Sequence, residues 1–381
     1  MKHLVFLTEH LSFGGAERAL VEYLVNIDRS KYKVSLILRD DAGPDNYLLA
    51  SIPKDVEIKI LHTHDNRGIT AWGHLRRKLM PKWDLTFRIH KALRELKLIA
   101  PVDLLLDFTS VLFKQGFMFS GYKKIYWIHG PKSHMGTAEL KKFSWRLNSY
   151  DLVAVVSDHL KLEIEHLLPK FKSRLVSIYN PFDIDRIINS SFDESELSEK
   201  EHELINQRYI LAVGRFAVEK DYFTLVEAYK KLKSQNVDYK LYLIGNGPGF
   251  ADIQAKVKAE GLENDIILLG AKKNPYIWMR KSILFVHSAK AEGFGLVIVE
   301  AMALGKAVIS TDCPVGPGEI LCRGRFGKLV PVANADAMAY MIQEMVDNPV
   351  LRAESQSLAA QRAKDYSVDR LLPDFYKIID I

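Results

Sequence analysis

Cysteine is nearly absent from this chain of 381 residues, which has only Cys313 and Cys322. Two thiols cannot build the disulfide framework of a small secreted protein, so a reducing compartment is the natural setting. No apolar run reaches the roughly 18 residues that a membrane-spanning helix needs. Glu9 and His10 interrupt the apolar start of the chain before it can act as a signal peptide. We therefore expect a cytoplasmic protein.

The composition is that of an ordinary globular protein, with 48% hydrophobic and 26% charged residues. The net charge is +6, but it is unevenly distributed. Residues 67–97 carry nine Lys or Arg against two Asp or Glu, a local net charge of +7. An acidic partner is therefore expected to meet this segment.

Short apolar runs alternate with longer amphipathic stretches almost throughout the chain. Continuous apolarity is typical of strands covered on both faces, and strands alternating with helices predict parallel sheets. The predicted strands of the first half are Leu4–Thr8, Val34–Leu38, Val102–Phe108, Ile125–Ile128, Leu152–Val156 and Leu175–Tyr179. Those of the second half are Ile210–Val213, Leu241–Ile244, Ile266–Leu269, Ile283–Val286, Ala307–Ser310 and Leu329–Pro331. The pattern predicts an α/β protein with two Rossmann-like, doubly wound domains.

A change of composition suggests where the two halves meet. The stretch around Asp193–Glu201 is acidic and poor in apolar residues. We therefore expect a first domain over residues 1–190, a linker over 191–207 and a second domain over 208–365. The remaining residues, 366–381, look helical and could cross back to the first domain.

In doubly wound sheets, ligands bind beyond the carboxyl ends of the strands, so the residues after each strand are the candidates for a site. Gly14 and Gly15 follow the first strand and open a helix, where free amides can bind an anion. Arg215 and Lys220 follow the first strand of the second half, where they can grip a phosphate. The simpler interpretations are a tight turn for the glycines and a solvated loop for the two cations.

Three other motifs carry weaker signals. Gly245, Gly247 and Gly249 are spaced as G-x-G-x-G, unlike the usual dinucleotide fingerprint, so a plain turn is favoured. Asp183-Ile184-Asp185 matches a D-x-D metal motif, but a helix cap is the more ordinary interpretation. The Pro- and Gly-rich loop 312–319 requires a defined shape and suggests a role on the ligand side.

The most informative stretch is Ala291–Met302, which follows a predicted strand. Glu292 precedes a Gly-rich turn, and Glu300 lies about two helical turns beyond it in an apolar context. A helix that begins at this turn can hold a phosphate on its dipole. A carboxylate among apolar residues needs a partner or a ligand.

Glu292 and Glu300, separated by seven residues, resemble the E-x7-E motif of retaining GT-B glycosyltransferases. The chain is similar, more narrowly, to family 4, which assembles bacterial surface polysaccharides and lipid-linked oligosaccharides. The Gly-Gly-Ala-Glu-Arg loop, the Gly-Arg…Lys loop and the helical tail stand where that family has them. The resemblance extends over essentially the whole chain and implies the GT-B fold.

The resemblance also implies roles for individual residues. Arg215 and Lys220 would hold the donor diphosphate. Glu292 would meet the hydroxyls of the donor sugar, and Glu300 those of the ribose. The turn whose backbone approaches sugar and phosphate would consist of Gly293, Phe294, Gly295 and Leu296.

In the first domain, Gly14 and Gly15 would close over the donor. His129, which follows a strand, resembles the active-site histidine that contacts sugar and acceptor. The catalytic set is thus expected to be Glu292, His129, Arg215 and Lys220. Fixed cations and amides would stabilise the leaving diphosphate, so no metal and no cofactor are expected.

The function implied is retaining transfer of a hexose or N-acetylhexosamine from a nucleotide sugar, UDP-linked, to a glycan or lipid-linked acceptor. Two alternatives stay open: a sugar-nucleotide epimerase on the same fold, and a non-catalytic subunit that binds a nucleotide sugar. Only Glu292 is expected near the sugar, which favours a same-face reaction over one with two carboxylates.

The basic segment 67–97 interleaves aromatic residues with its cations. This combination suits an anionic membrane surface, although a solvated basic helix face has the same pattern. No nucleic-acid-binding motif accompanies the charge, so nucleic acid is not expected as a partner. We therefore expect a peripheral protein at the cytoplasmic face of the inner membrane.

Overall fold

The chain forms two compact units in a computed structural model that describes residues 1–12, 14–41, 43, 46–62 and 81–380. Unit 1 comprises Met1–Val156, Lys161–Pro181 and Leu372–Ile381, and unit 2 comprises Ser157–Leu160 and Phe182–Leu371. The acidic stretch expected as a linker belongs to unit 2. Its second part forms a short helix, which begins with a capping box between Ser198 and Glu201.

Unit 1 contains a sheet of seven parallel strands in the order β3-β2-β1-β4-β5-β6-β7. The strands are β1 (Lys2–Thr8), β2 (Tyr32–Asp40), β3 (Glu57–His62), β4 (Leu104–Asp107), β5 (Lys123–Ile128), β6 (Leu152–Val155) and β7 (Leu175–Ser177). The sequence predicted all of them except β3. This edge strand has the polar residues Glu57 and Lys59 and is only partly buried, so it lacks a continuous apolar run.

Unit 2 contains a sheet of six parallel strands in the order β10-β9-β8-β11-β12-β13. The strands are β8 (Tyr209–Val213), β9 (Lys240–Ile244), β10 (Ile266–Gly270), β11 (Phe285–His287), β12 (Val308–Thr311) and β13 (Lys328–Val330). Each predicted strand of this half is present. Two parallel-sheet α/β units confirm the predicted fold class.

Helices connect the strands in both units. In unit 1 they are α1 (Gly15–Asn26), α2 (Pro81–Ile99), α3 (Thr137–Leu147) and most of α4 (Asp158–Leu167). In unit 2 they are α5 (Ile184–Ser190), α6 (Glu199–Ile205), α7 (Tyr222–Lys233), α8 (Phe250–Ala259), α9 (Tyr276–Lys281), α10 (Leu296–Ala303), α11 (Pro317–Ile320), α12 (Ala335–Asp347) and α13 (Pro349–Ala363). The last helix is α14 (Val368–Ile379). None of the helices in the described ranges is both long and apolar enough to cross a membrane.

Each sheet has one topological switch point. On one side of it successive strands are added in one direction across the sheet, and on the other side they are added in the opposite direction. In unit 1 it lies between β1 and β4, and in unit 2 between β8 and β11. Loops that leave these neighbouring strands diverge and form a crevice at the carboxyl ends. The loops after β8 and β11 contain Arg215, Lys220 and Glu292, so the topology brings these residues together.

The end of α14 packs in unit 1. Phe375 is 1% exposed, and its ring centroid lies 4.9 Å from that of Tyr23 and 6.3 Å from that of Trp127. The Asp28 amide donates a hydrogen bond to the Tyr376 hydroxyl over 2.9 Å. The end of α14 thus contributes to the aromatic core of unit 1.

We expect Phe375→Ala to lower the free energy of unfolding by about 3–5 kcal/mol, because it leaves a cavity among buried aromatic rings. Chemical denaturation followed by tryptophan fluorescence measures the change. Tyr340→Ala is the matched control, since this side chain is 68% exposed. An effect of Phe375→Ala no larger than that of the control would contradict the packing role.

A second prediction concerns His3, which is fully buried on β1 and lies 2.8 Å from the Ser35 hydroxyl through Nε2. Burial lowers the pKa of His3 below its ordinary value of 6.5. Below pH 6.5 the His3 imidazole of the unfolded chain binds a proton more readily than that of the folded chain. The free energy of unfolding therefore decreases as the pH falls below 6.5. We expect His3→Gln to reduce this loss in urea denaturations between about pH 7.5 and about pH 5.5. An equally steep loss in the variant would rule out His3 as a source.

Candidate active site

The loop after β8 forms one wall of the unit 2 site. It contains a short 3-10 helix, Val218–Lys220, and then Asp221 in the left-handed conformation with φ 47°. Asp221 tolerates this conformation and accepts a hydrogen bond from the Thr224 hydroxyl over 2.6 Å. Helix α7 begins immediately after it, so the position of Lys220 is fixed by the start of a helix.

The loop after β11 is tied to this wall by several hydrogen bonds. The Ser288 hydroxyl donates to the Lys220 carbonyl over 2.8 Å, and the Lys290 amide donates to the Glu219 carbonyl over 2.7 Å. The Lys290 ammonium lies 3.0 Å from the Asp221 carboxylate. Two loops from neighbouring strands are thereby joined into one rigid surface.

Glu292 lies on this surface beside two nitrogen-bearing side chains. Lys220 forms an ion pair with Glu292 through Oε1, and the same oxygen lies 3.0 Å from Nε2 of His287. Burial by itself would raise the pKa of the Glu292 carboxyl, but the Lys220 ammonium and the His287 imidazole outweigh it and lower that pKa to about 2. Glu292 is therefore a carboxylate that can only accept hydrogen bonds.

The turn after Glu292 leads directly into α10. Gly295 has φ 105° and precedes α10, and no side chain of the described residues caps this helix. Phe294 is 3% exposed and packs edge-on against Tyr366, with 5.5 Å between ring centroids. Gly316 supports the turn from the 312–319 loop, where a Cβ would lie 2.1 Å from the Phe294 carbonyl oxygen. That loop thus shapes the turn and leaves the helix start able to bind an anion.

Glu300 lies one turn before the end of α10 and is 4% exposed. Its Oε1 accepts a hydrogen bond from the Tyr276 hydroxyl over 3.1 Å. Tyr276 belongs to α9, which follows β10 in the chain. The buried carboxylate is thereby held by a neutral donor, unlike Glu292, which is held by a cation.

Arg215 is the most exposed member of the predicted set, with 66% of its side chain accessible. Its Nη2 lies 2.6 Å from Oε1 of Glu219, four residues further along the chain. A surface ion pair of this kind contributes about 0–1 kcal/mol. A diphosphate can therefore displace Glu219 from Arg215 at little cost.

In unit 1, Gly14 precedes α1 and Gly15 is its first residue. The Glu17 carboxylate lies over Gly14, where a Cβ would be 1.8 Å from Oε2. Oε1 of the same carboxylate lies 3.1 Å from Nδ1 of His10 and raises the pKa of that imidazole. The helix start that was expected to bind an anion thus already has a carboxylate of its own chain beside it.

His129 follows β5 and lies against Phe108, with 4.5 Å between ring centroids. Its Nε2 is 2.8 Å from the Phe108 carbonyl oxygen, to which it donates. Burial lowers the pKa of His129 to about 4, although the Phe108 carbonyl and the charge of Glu17 act in the other direction. The imidazole is therefore neutral at neutral pH, and its Nδ1 can accept a hydrogen bond.

Two of the weaker motifs have structural explanations. A Cβ on Gly245, with φ 146°, would lie 1.9 Å from the Gly214 carbonyl oxygen, so the glycine-rich turn permits close backbone packing. Asp183 caps α5 by accepting a hydrogen bond from the Arg186 amide over 2.9 Å. Within the described ranges, no group of three or more His, Cys, Asp or Glu residues could hold a metal ion.

The sequence analysis missed four residues that shape the unit 2 site: His287, Tyr276, Glu219 and Asp221. His287 directly follows the predicted strand Ile283–Val286, but it belongs to none of the motifs that indicated a site. Tyr276 lies far from Glu300 in the sequence and belongs to no motif. Asp221 directly follows Lys220, and a polar residue before a helix was a signal that could have identified it.

Part of the chain matches a known protein family. Residues 193–365 match the family described as Glycosyl transferases group 1. A relative from Campylobacter jejuni, N-acetylgalactosamine-N,N'-diacetylbacillosaminyl-diphospho-undecaprenol 4-alpha-N-acetylgalactosaminyltransferase, is 31% identical over 233 residues, 60% of this chain. A second Campylobacter jejuni relative, an alpha-1,4-N-acetyl-D-galactosaminyltransferase, is 26% identical and covers 100% of this chain and 98% of its own. The chain spans 61% of the length of the first relative and 63% of that of an uncharacterized glycosyltransferase from Methanocaldococcus jannaschii.

Solved structures share the fold over the full chain. Anabaena Alr3699/HepE in complex with UDP and glucose superposes with a TM-score of 0.81 at 20% identity and covers 100% of both chains. Sucrose-phosphate synthase from Thermosynechococcus elongatus superposes with a TM-score of 0.78 at 16% identity and covers 100% of this chain and 98% of its own. Residues 193–365 are therefore similar to the glycosyl transferases of group 1, and the two parallel-sheet units have the GT-B fold.

Proposed function

We propose that the protein is a glycosyltransferase that moves a hexose or N-acetylhexosamine from a UDP-sugar to a lipid-linked glycan. The observation that carries the proposal is the buried cluster of Lys220, Glu292 and His287 at the switch point of unit 2. It combines a cation for a diphosphate with a carboxylate for sugar hydroxyls. The relatives support the substrates, because one transfers to a diphospho-undecaprenol acceptor and another was solved with UDP and glucose.

The chemistry requires the diphosphate to leave while the sugar becomes positively charged. Lys220, Arg215 and the amides at the start of α10 supply positive charge for the leaving oxygen. Groups fixed in advance stabilise developing charge without reorganisation, and removing one typically slows the reaction by about 10²–10³. In this proposal these groups act where many transferases use a divalent ion.

The proposed transfer retains the anomeric configuration. Of the described carboxylates at this site, Glu300 on α10 accepts a hydrogen bond from Tyr276 on α9, which leaves Glu292 for the sugar. A double displacement needs two carboxylates about 5 Å apart on the sugar. We therefore propose a same-face reaction in which the leaving phosphate takes the acceptor proton. Proton NMR of the product distinguishes the two anomers, and an inverted product would exclude this mechanism.

We place the acceptor in unit 1, where a cavity of about 570 Å³ opens at the carboxyl ends of the strands. Among its charged side chains, Arg39 pairs with Glu9 and Asp40, and His62 lies 3.2 Å from Asp40 and 3.6 Å from Asp84. Lys114 also lines the cavity. Because the three carboxylates Glu9, Asp40 and Asp84 outnumber the cations Arg39 and Lys114, the cavity suits the hydroxyls of a neutral sugar better than a free anion. His129, which is neutral, would face the acceptor reaction from this unit.

The membrane contact is also part of the proposal. Residues 67–80 of the basic segment lie outside the described residues, and the rest belongs to α2. On this helix Trp83 and Phe87 are 62% and 54% exposed, whereas Arg88 is bound by the buried Asp84 over 2.8 Å. Exposed aromatic rings beside cations suit the interface of an anionic membrane. We propose that the protein acts as a peripheral protein on the cytoplasmic face of the inner membrane.

The proposed activity is tested by incubating the protein with a panel of UDP-sugars and a membrane extract that supplies acceptor lipids. Release of UDP with incorporation of sugar into the lipid fraction is the expected result. Release of UDP with an epimerised sugar would favour the alternative epimerase. Binding of UDP-sugars without any turnover would favour a non-catalytic subunit.

We expect transfer to continue in the presence of EDTA, because fixed cations supply the positive charge. Lys220→Met is expected to lower the rate by about 10²–10³ without rescue by Mg²⁺ or Mn²⁺. Initial rates of UDP release measure both effects. Loss of activity with EDTA that returns with a divalent ion would contradict a metal-independent mechanism.

We also expect Glu300→Gln to raise the KM for the UDP-sugar by about 10-fold or more, because hydrogen bonds to charged groups contribute about 1.5–3 kcal/mol. Tyr276→Phe should raise this KM by less, since it removes one hydrogen bond to Glu300 and leaves the carboxylate in place. Tyr242→Phe is a matched control, because its hydroxyl donates to Gln207 away from the site. In Glu300→Gln the preference for ribose over 2′-deoxyribose donors should also weaken. A preference unchanged from the wild type would contradict a ribose contact.

A further inference from the structure

His287 is a buried imidazole that neither the sequence motifs nor the family resemblance assigns. It is the last residue of β11, pairs with Ser310 of β12 in register, and exposes 5% of its side chain. Its Nε2 lies 3.0 Å from Oε1 of Glu292. An unassigned imidazole in contact with the carboxylate proposed to bind the donor sugar calls for a role.

The two oxygens of Glu292 have different surroundings. Lys220 and His287 both approach Oε1. In the part of the chain that the structure describes, no hydrogen bond or ion pair reaches Oε2. Lys220 and His287 thus hold the carboxylate through Oε1. Oε2 is left to accept a hydrogen bond from a substrate hydroxyl.

The two residues that hold Oε1, Lys220 and His287, differ in side-chain flexibility and in the other contacts that the proposed function requires of them. Lys220 has a flexible stem with a point charge at its end, and the proposed function requires that charge for the donor diphosphate. An imidazole has only two side-chain torsions, and His287 is anchored in a central strand of the sheet. When the ammonium turns toward a phosphate, His287 is the contact that stays.

We infer that His287 is a positioning residue that keeps the Glu292 carboxylate directed at the donor sugar while Lys220 engages the diphosphate. This inference rests on the proposed function. His287 Nε2 lies 3.0 Å from Oε1 without the alignment of a hydrogen bond. The inference assigns the Nε2–H tautomer to the imidazole, which donates to Oε1 when Lys220 turns to the diphosphate. A carboxylate displaced by about 1 Å can cost about 10² in rate, so such a residue affects the reaction without touching the substrate.

The test compares His287→Leu, which removes the donor, with His287→Gln, whose side-chain amide retains an N–H near Nε2. For each variant, titration calorimetry gives the affinities for UDP and for a UDP-sugar, and UDP release gives kcat and KM. We expect His287→Leu to bind UDP like the wild type, to lose the additional affinity that the sugar provides, and to lower kcat by about 10²-fold. His287→Gln should recover most of both losses.

A double-mutant cycle makes the assignment specific. In a Glu292→Gln background, His287→Leu should have little further effect on kcat, because the residue acts through Glu292. Additive effects would overturn the inference, as would equal losses of UDP and UDP-sugar affinity, which indicate a general disturbance of the fold. A His287→Leu variant as active as the wild type would also overturn it. A wild-type protein that turns over no UDP-sugar would instead overturn the proposed function, and the inference with it.

Discussion

The site in unit 2 depends on the buried ion pair between Lys220 and Glu292. Taking two charges out of water is costly, and removing one partner leaves the other uncompensated. The pair is retained at the one place where the chain brings together the loops after β8 and β11, the two strands that flank the switch point. Hydrogen bonds from Ser288 and Lys290 to the opposite loop fix the distance between the two partners. The strand order of the sheet therefore determines which charged side chains meet at the site.

The two units handle charge differently. Unit 2 contains the Glu292 carboxylate beside Lys220, and an exposed Arg215 paired with Glu219, the cations proposed to bind a diphosphate. In unit 1, burial keeps His129 neutral. This contrast fits a reaction in which one unit stabilises a departing anion and the other binds a hydroxyl.

The sequence predicted the fold well because the central strands of both sheets are continuous apolar runs between charged or glycine-rich ends. The edge strand β3 was missed because it is only partly buried and therefore needs fewer apolar residues. Its polar residues Glu57 and Lys59 interrupt the apolar run that marks the central strands. The spacing of Glu292 and Glu300 and the position of Lys220 after a strand predicted a candidate site around these residues. The contacts of Glu292 with His287 and of Glu300 with Tyr276 depend on register and helix packing between distant segments, which a single sequence does not specify.

The most direct test of the central claim is a crystal structure of the protein with an intact UDP-sugar. The account predicts the diphosphate on unit 2, with Nζ of Lys220 about 2.7–2.9 Å from a phosphate oxygen, and a sugar hydroxyl on Oε2 of Glu292. A diphosphate bound through a metal ion away from Lys220, or a sugar that does not touch Glu292, would contradict it.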